Sequence, residues 1–201
     1  MRIFKPFLAS GWLFPGALFR IDTREKLLCI TFDDGPDPIT TPAILKTLET
    51  HNIKALFFCK GENAERYPDL IQRIISCGHL TGNHSYSHPD GWFTGVKQYL
   101  SDVEKASRYI PGKYFRPPYG RLRIGQYLKL KSFYKIVFWD IMPYDFDKSF
   151  AWEESLEVLL RMIRPGSVIA LHDSETSSSP LFLDMFIREA SGRGYKFVLP
   201  E

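Results

Sequence analysis

Residues 26–38, KLLCITFDDGPDP, join a strand-like apolar run to a group of carboxylates. An apolar, β-branched run ends in two adjacent carboxylates, Asp33 and Asp34, and then in Gly35 and Pro36, which do not continue a strand. The pattern predicts a buried strand with both aspartates at its C-terminal end. Two neighbouring anions repel each other unless a cation or a shared proton compensates. A metal ion next to one carboxylate, with the other kept free as a base, accounts for the pair; a solvated Asp-Asp turn is the alternative.

The composition indicates one ordinary globular domain. The chain has 201 residues, 44% of them hydrophobic and 24% charged. A net charge of +3, without a block of Lys and Arg, argues against nucleic acid as a partner. The aromatic content of 15% suits a Phe-rich core, with a sugar-stacking surface as the alternative. Cys29, Cys59 and Cys77 lack CxxC spacing and are predicted to be buried free thiols, which favours a reducing compartment.

The first 25 residues are predicted to cover one end of the domain. Basic residues come early and apolar ones follow, but the run is interrupted by Pro6, Gly11, Pro15 and Gly16. The segment therefore predicts neither a signal peptide nor a spanning helix, and a cytoplasmic or membrane-peripheral location is favoured. A weak interfacial membrane contact is the alternative, through Trp12, Leu13, Phe14 and Phe19.

Beyond residue 25, short apolar runs alternate with amphipathic ones. Strands are predicted at 27–32, 54–59, 79–83, 114–116, 135–139, 167–171 and 195–199. Helices are predicted at 41–51, 68–77, 96–109, 123–130, 153–163 and 181–190. This alternation predicts an α/β fold with a parallel sheet or barrel, in which functional groups gather at the C-terminal ends of the strands.

Histidines follow two of these predicted strands. His84 and His88 have the i, i+4 spacing that, on a helical turn, points both rings the same way, although surface pairs with this spacing are common. Two histidines and one aspartate would leave coordination positions open, as in catalytic metal sites. Zinc fits such ligands, and other divalent ions do as well. His172 follows the sixth strand, where an acid–base role and a buried structural role are both reasonable.

Five motifs in order carry a family resemblance: TFDDGP, HSYSH, RPPYG, the WDIMPYDF region and LHD. From Lys26 to the C-terminus the sequence resembles the polysaccharide deacetylase family, also called the NodB-homology domain or carbohydrate esterase family 4. The resemblance implies that residues 26–201 form a catalytic domain, a distorted (β/α) barrel of NodB type with about seven parallel strands. It also implies a divalent-metal hydrolase that removes N- or O-acetyl groups from sugars such as those of peptidoglycan, chitin-like oligomers or xylan.

The resemblance assigns roles to individual residues. The expected ligands of a divalent metal, zinc or else cobalt or manganese, are Asp34, His84 and His88. The expected catalytic groups are Asp33 as general base, Arg116 holding Asp33, the backbone N–H of Tyr119 stabilising the oxyanion, and His172 as general acid.

The fourth motif departs from the family pattern at the expected partner of the acid histidine. Where the family has the Asp that pairs with this histidine, the chain has Met142. Three other carboxylates are candidates to replace it: Asp140, Asp145 and Asp173. Without any such partner, His172 would have a lower pKa and would be a weaker acid near neutral pH.

The expected acyl pocket contains Pro117, Asp145, Phe146 and Ala170. Phe146 replaces a Trp of the family pattern, and Ala170 replaces a Leu two residues before the acid histidine. These smaller side chains predict a roomier pocket unless neighbouring side chains fill the space.

The sequence thus predicts a hydrolase that removes N-acetyl groups from a carbohydrate with peptidoglycan- or chitin-like N-acetylglucosamine units. The alternatives are an O-acetyl esterase, a deacylase for a larger acyl group, or a non-catalytic metal- or glycan-binding domain. The binding domain is disfavoured because such a domain has no need for Asp33, Arg116 and His172 together. The oligomeric state stays open.

Overall fold

The structure is a computed structural model, and it describes residues 10–200. Its strands are β1 (Leu27–Asp33), β2 (Leu56–Cys59), β3 (Leu80–Asn83), β4 (Tyr114–Phe115), β5 (Lys135–Ile136), β6 (Ser167–His172) and β7 (Lys196–Phe197). Its helices are α1 (Ser10–Leu13), α2 (Thr40–Thr50), α3 (Gly61–Arg66), α4 (Pro68–Ser76), α5 (Val96–Ser107), α6 (Ile124–Leu130), α7 (Trp152–Met162) and α8 (Ser179–Gly192). A 3₁₀ turn, Pro118–Gly120, follows β4.

The seven strands form a curled parallel sheet in the order β5-β4-β3-β2-β1-β6, with β7 also pairing with β1. A parallel bridge between Ile141 and Ile169 connects the chain after β5 to β6, at the two ends of this order. The sheet is thereby a distorted (β/α) barrel, and the predicted fold class is confirmed.

The alternation of β1 explains why the aspartates lie where they do. Leu28, Ile30 and Phe32 pack with the helices in the largest core cluster. Thr31 and Asp33 lie on the opposite face, together with buried Cys29. In the register of the sheet, Asp33 is paired with Phe58 of β2 and with His172 of β6. The strand therefore delivers the Asp33 carboxylate to the C-terminal rim beside His172.

All seven predicted strands are present, and the fifth ends three residues earlier than predicted, at Ile136. Two helices were not predicted, α1 and α3. Helix α3 has six residues, of which only Gly61 and Ala64 are buried. A stretch this short does not develop the 3.6-residue apolar period from which helices are recognised.

The described part of the N-terminal segment packs against the barrel. Phe14 is buried and the Phe19 ring stacks on the Phe138 ring with centroids 4.6 Å apart, while Leu18 pairs with Val137. Phe14 and Phe19 are thus occupied by contacts with the barrel, whereas Trp12 and Leu13 are exposed, and the suggested weak membrane contact stays a prediction. Residues 1–9 lie outside the described residues. Among the helices within residues 10–200, none is long and apolar enough to cross a membrane.

The three cysteines are free thiols. Cys29 and Cys59 are buried and Cys77 is half-buried, so the prediction of buried thiols holds for two of the three. Burial raises the pKa of Cys29 to about 12, against a smaller opposing effect of Arg116, which keeps this thiol protonated and inert.

Candidate active site

A cavity of about 410 Å³ opens at the C-terminal rim of the barrel. Its polar lining residues are Asp33, Asp34, His84, His88, Arg121, His172 and Thr176. Its aromatic and more apolar lining residues are Pro117, Tyr119, Trp139, Met142, Tyr144 and Phe146. The rim thus collects side chains from segments that are far apart in sequence, as expected for a parallel α/β fold.

Asp34, His84 and His88 form a cluster suited to a cation. The ligand atoms of the three side chains lie within 4.8 Å of one another. Asp34 Oδ1 is 3.3 Å from His88 Nε2 and 3.8 Å from His84 Nε2. This oxygen is buried and has no hydrogen-bond partner among the described residues. A buried, unpartnered carboxylate oxygen facing two imidazole nitrogens has the chemistry of a divalent-cation site.

The environment of His84 keeps its ring neutral, which is the form that binds a metal. Its Nδ1 lies 2.7 Å from the carbonyl oxygen of Arg116, so Nδ1 carries the proton. Nε2 is the ring nitrogen nearer Asp34, and its lone pair is therefore free to bind a cation. Burial, the largest effect, together with His88 lowers the pKa of His84 to about 3, despite the opposing effect of Asp34. Burial also lowers the pKa of His88.

The two histidines lie on a loop and not on a helical turn. His84 directly follows β3, and residues 84–89 are not helical. Ser85 and His88 have φ values of 65° and 60°, in the left-handed region. These two residues bend the loop enough to bring His88 back toward His84, with ring centroids 5.0 Å apart. Loop geometry, and not helical spacing, brings the rings together.

Left-handed backbone is concentrated at this cavity. Six described non-glycine residues have positive φ values, and four of them line the cavity: Asp34, His88, Tyr119 and Tyr144. Each such residue costs on the order of 1–3 kcal/mol and persists only where the surrounding structure fixes it. The concentration marks the rim as the functional part of the molecule.

Asp33 is held by an arginine and is not part of the cation cluster. Its Oδ1 accepts a hydrogen bond of 2.6 Å from Arg116 Nη1. Arg116 is fully buried, and its other donors bind the Thr31 hydroxyl and the carbonyls of Val137 and Phe138. The guanidinium is fixed on every side, so Asp33 is paired and oriented without being used as a ligand.

Asp145 is the carboxylate that pairs with His172. His172 Nδ1 lies 2.9 Å from Asp145 Oδ1, and Oδ2 accepts bonds from the His172 backbone N–H and the Ser177 hydroxyl. Burial, the largest effect, disfavours the charged ring. The charge and hydrogen bond of Asp145, helped by Asp34 and Asp33, outweigh it and raise the pKa of His172 to about 9. Because Asp145 is this partner, the lowered pKa that was expected for His172 without a partner is not found.

The other two candidate partners lie elsewhere. Asp140 binds the Arg164 guanidinium and the Ser167 hydroxyl. Asp173 accepts hydrogen bonds from the hydroxyls of Thr40 and Thr41, at 2.7 and 2.6 Å. Burial raises the pKa of Asp173 to about 7, against the lowering effect of these two bonds. Asp173 thus anchors the first turn of α2 to the rim.

Two of the four residues expected in the acyl pocket line the cavity. Pro117 and Phe146 line the cavity, and the Phe146 ring lies against the His172 ring at 4.5 Å between centroids. Asp145 and Ala170 are fully buried and are not part of the cavity wall. Asp145 is occupied with His172, and Ala170 lies on the inner face of β6, so neither widens the space for an acyl group.

Sequence reasoning missed Trp139, which lines the cavity after β5. Its position at the end of the predicted strand 135–139 was a usable signal, because Asp33, His84 and His172 each directly follow a predicted strand. Its ring packs against Gly120, which has a φ of 65° and where any side chain would collide with the indole. The turn at Tyr119 and Gly120 therefore fits against Trp139.

The site combines a three-ligand cluster suited to a cation with a carboxylate and an imidazole that are not part of it. Together with a parallel β/α barrel, this is the arrangement of hydrolases that pair a Lewis acid with general acid–base groups. The sequence model of the family described as "Polysaccharide deacetylase" matches residues 20–130 of this chain. The chain belongs to the polysaccharide deacetylase family.

Relatives of known sequence agree with this family. A peptidoglycan-N-acetylglucosamine deacetylase of Bacillus cereus is 37% identical over 183 residues, covering 85% of this chain and 66% of the relative. A chitooligosaccharide deacetylase of Azorhizobium caulinodans is 35% identical over 170 residues, covering 79% of each. The chain spans 38% of the peptidoglycan-N-acetylmuramic acid deacetylase PdaC of Bacillus subtilis, at 32% identity.

Solved structures agree as well. The Bc1960 peptidoglycan N-acetylglucosamine deacetylase superposes with a TM-score of 0.86 at 31% identity, covering 96% of this chain and 94% of that one. A mutant of BA3943, a family pseudoenzyme with restored enzymatic activity, superposes with a TM-score of 0.84 at 26% identity, covering 91% and 69%. Since the family includes a pseudoenzyme, membership of the family does not by itself establish catalysis, and the residues of the site decide it.

Proposed function

We propose that this chain is a metal-dependent N-deacetylase that acts on a glycan containing N-acetylhexosamine units. One observation carries the proposal: a carboxylate that is not in the cation cluster, Asp33, lies opposite His172 in the sheet register and is fixed by buried Arg116. A domain that only bound a metal or a glycan would have no use for this pair. The names of the Bacillus cereus and Azorhizobium caulinodans relatives support an N-acetylated glycan as the substrate class.

Asp34, His84 and His88 would hold the cation. Two imidazole nitrogens and one carboxylate oxygen suit Zn²⁺, and Co²⁺ or Mn²⁺ also accept such ligands. When bound there, a divalent ion would supply Lewis acidity toward the amide carbonyl and toward water.

Asp33 is the general base in this proposal. Arg116 is bound to its Oδ1, so the proton of the attacking water is accepted at Oδ2. The same ion pair stabilises the carboxylate form that a base requires.

His172 is the general acid. Its Nδ1–H is directed to Asp145, which leaves Nε2–H as the donor for the cavity. A pKa of about 9 keeps the ring protonated at neutral pH, ready to protonate the leaving sugar amine. The oxyanion would be stabilised by the backbone N–H of Tyr119, which lines the same cavity.

The acyl group is proposed to be acetyl. Pro117, Trp139 and Phe146 supply an apolar wall for a methyl group. The idea of a larger acyl group rested partly on Ala170, which is buried outside the wall. Met142 fills the place of the missing family Asp with an apolar side chain on the cavity wall.

Acetate release from N-acetylglucosamine oligomers tests this function. Metal-stripped protein is assayed alone and after addition of Zn²⁺, Co²⁺ or Mn²⁺, with metal content measured in parallel. We expect release only with metal. Bound metal without release from any oligomer would overturn the N-deacetylase proposal and favour a binding role. Release from O-acetylated xylan alone would move the activity to the esterase alternative.

A further inference from the structure

We propose that the end of the barrel opposite the catalytic cavity is a docking surface for a bilayer of anionic lipid. The docking surface consists of exposed Trp12, Leu13 and Phe133 beside two grooves that are lined by lysines. None of these residues lines the catalytic cavity, so the docking surface is independent of the proposed function. Compared with the membrane contact expected from the sequence, it keeps Trp12 and Leu13 and has Phe133 and lysines in place of Phe14 and Phe19.

Three large apolar side chains of the docking surface are exposed to solvent. The exposed fraction is 90% for Trp12, 56% for Leu13 and 76% for Phe133. The chain just after Leu13 is attached to the barrel, because the Pro15 carbonyl accepts a hydrogen bond from the Tyr127 hydroxyl. Tryptophan, leucine and phenylalanine are the side chains that enter the boundary between lipid headgroups and acyl chains. The docking surface therefore offers three such side chains next to a fixed segment.

Phe133 lines two adjoining grooves, with volumes of about 440 and 450 Å³. Pro15 lines the first of them, so the segment that carries Trp12 reaches the same surface. Four lysines line the two grooves together: Lys113, Lys129, Lys131 and Lys135. Among the described residues that line either groove, Glu104 has the only carboxylate. The docking surface is therefore both apolar and cationic.

The positive charge of the docking surface is not neutralised by ion pairs. Within residues 10–200, no carboxylate forms an ion pair with any of the four lysines. The long stem of a lysine lies along apolar surface while its ammonium group reaches toward charged headgroups. The sequence before Ser10, MRIFKPFLA, adds two cations among apolar side chains and contains no carboxylate. Apolar side chains surrounded by free cations have the chemistry that binds anionic lipid.

The docking surface and the catalytic cavity lie at opposite ends of the parallel strands. Lys113 directly precedes β4 and Lys135 begins β5, so both lie at the amino-terminal ends of strands. The cavity contains Asp33 and His172, which end β1 and β6 at their carboxyl ends. A bilayer that contacts Phe133 and the lysines therefore leaves the cavity open to solvent on the far side of the protein.

Vesicle binding of the full chain tests the docking surface. Cosedimentation is measured with vesicles of phosphatidylcholine alone and with vesicles of phosphatidylcholine and phosphatidylglycerol in equal amounts. We expect binding to the mixed vesicles only, and we expect it to weaken as salt is added. Equal binding to both kinds of vesicle, or no binding to either, would overturn the proposal. Self-association that Phe133→Ala abolishes, without vesicle binding, would assign the surface to a second copy of the chain.

Substitutions at exposed positions locate the binding without disturbing the fold. The double variant Lys131→Ala/Lys135→Ala should weaken binding to mixed vesicles about 25-fold, since each lysine near an anionic surface contributes about fivefold. Phe133→Ala should weaken it by about three- to tenfold, because the ring is only partly buried by lipid. Phe93→Ala and Lys97→Ala are the matched controls, on the loop after β3 and the first turn of α5, and should bind like wild type. Wild-type binding by the double lysine variant would contradict the proposal.

Tryptophan fluorescence tests which end of the barrel meets the lipid. Brominated lipid in the mixed vesicles quenches an indole that lies in the bilayer. The quenching should be lost in Trp12→Phe and kept in Trp92→Phe, because Trp92 lies at the catalytic rim, where the Arg121 guanidinium is 4.9 Å from its ring centroid. Quenching that is lost in Trp92→Phe and kept in Trp12→Phe would show that the catalytic rim meets the lipid, and would overturn the proposal.

Discussion

His84 and His172 line the same cavity, and their rings differ in protonation. Both are nearly fully buried, both follow or end a parallel strand, and both use Nδ1 for a hydrogen bond, of 2.7 and 2.9 Å. Burial is the largest influence on each ring and lowers its pKa. The pKa of His84 nevertheless reaches about 3 and that of His172 about 9.

The difference comes from the acceptor on Nδ1. His84 bonds a neutral backbone carbonyl, so burial prevails, the ring is neutral and Nε2 presents a lone pair. His172 bonds the carboxylate of Asp145, whose charge outweighs burial, so the ring is cationic and Nε2 presents a proton. In the proposed mechanism, one residue type thus supplies both a cation ligand and an acid. Substitutions in the cation cluster and at His172 test this difference separately.

Disrupting the cation cluster should have the largest effect on acetate release. Asp34→Ala deletes the carboxylate oxygen that faces both histidines, and we expect loss of bound metal together with loss of acetate release to background. Metal content and acetate release are measured on the same samples. Asp184→Ala is the control, because Asp184 pairs with His51 at the surface and should keep both. An Asp34→Ala protein that still binds metal would contradict the ligand assignment.

Removing the acid side should slow turnover without releasing the metal. His172→Ala deletes the proton donor, and kcat should fall by about 10²–10⁴-fold, the usual contribution of a general acid. Metal content should stay at the wild-type level, since His172 is not in the cation cluster. A loss below tenfold would show that another group protonates the leaving amine.

Making the His172 environment more like that of His84 should have a smaller effect that depends on pH. The wild-type rate should fall as pH rises through about 9, because His172 must carry a proton to act. Asp145→Asn removes the charge that opposes burial, so the pKa falls and the alkaline limb should move down by about one to three pH units. Rates from pH 5 to 10 measure the shift. If the alkaline limb of the pH–rate profile does not move, the protonation of His172 does not determine it.

Much of the fold followed from local pattern. The run of residues 27–33 alternates between two buried faces, and Gly35 and Pro36 end it, so β1 and its rim aspartates were predictable. Because parallel strands end at one rim, the convergence of Asp33, His84 and His172 followed from strand order alone.

Contacts between distant segments were not predictable. Asp140, Asp145 and Asp173 lie near His172 in the fold or sequence, and only the packing of the chain after β5 decides that Asp145 meets it. The left-handed turns that bring His88 back to His84 leave no periodic signal, so the shape of this loop could not be predicted from the spacing of the two histidines. The contact of the Arg121 guanidinium with the Trp92 ring likewise joins two loops.

In the proposed mechanism, Asp33 acts between the cation cluster and the acid His172 without belonging to either. Asp33→Asn keeps the shape of the side chain and removes the base, so this role is tested by the metal content and the acetate release of this variant. We predict wild-type metal content with acetate release reduced by about 10²–10⁴-fold. Loss of the metal, or turnover near the wild-type rate, would contradict the account.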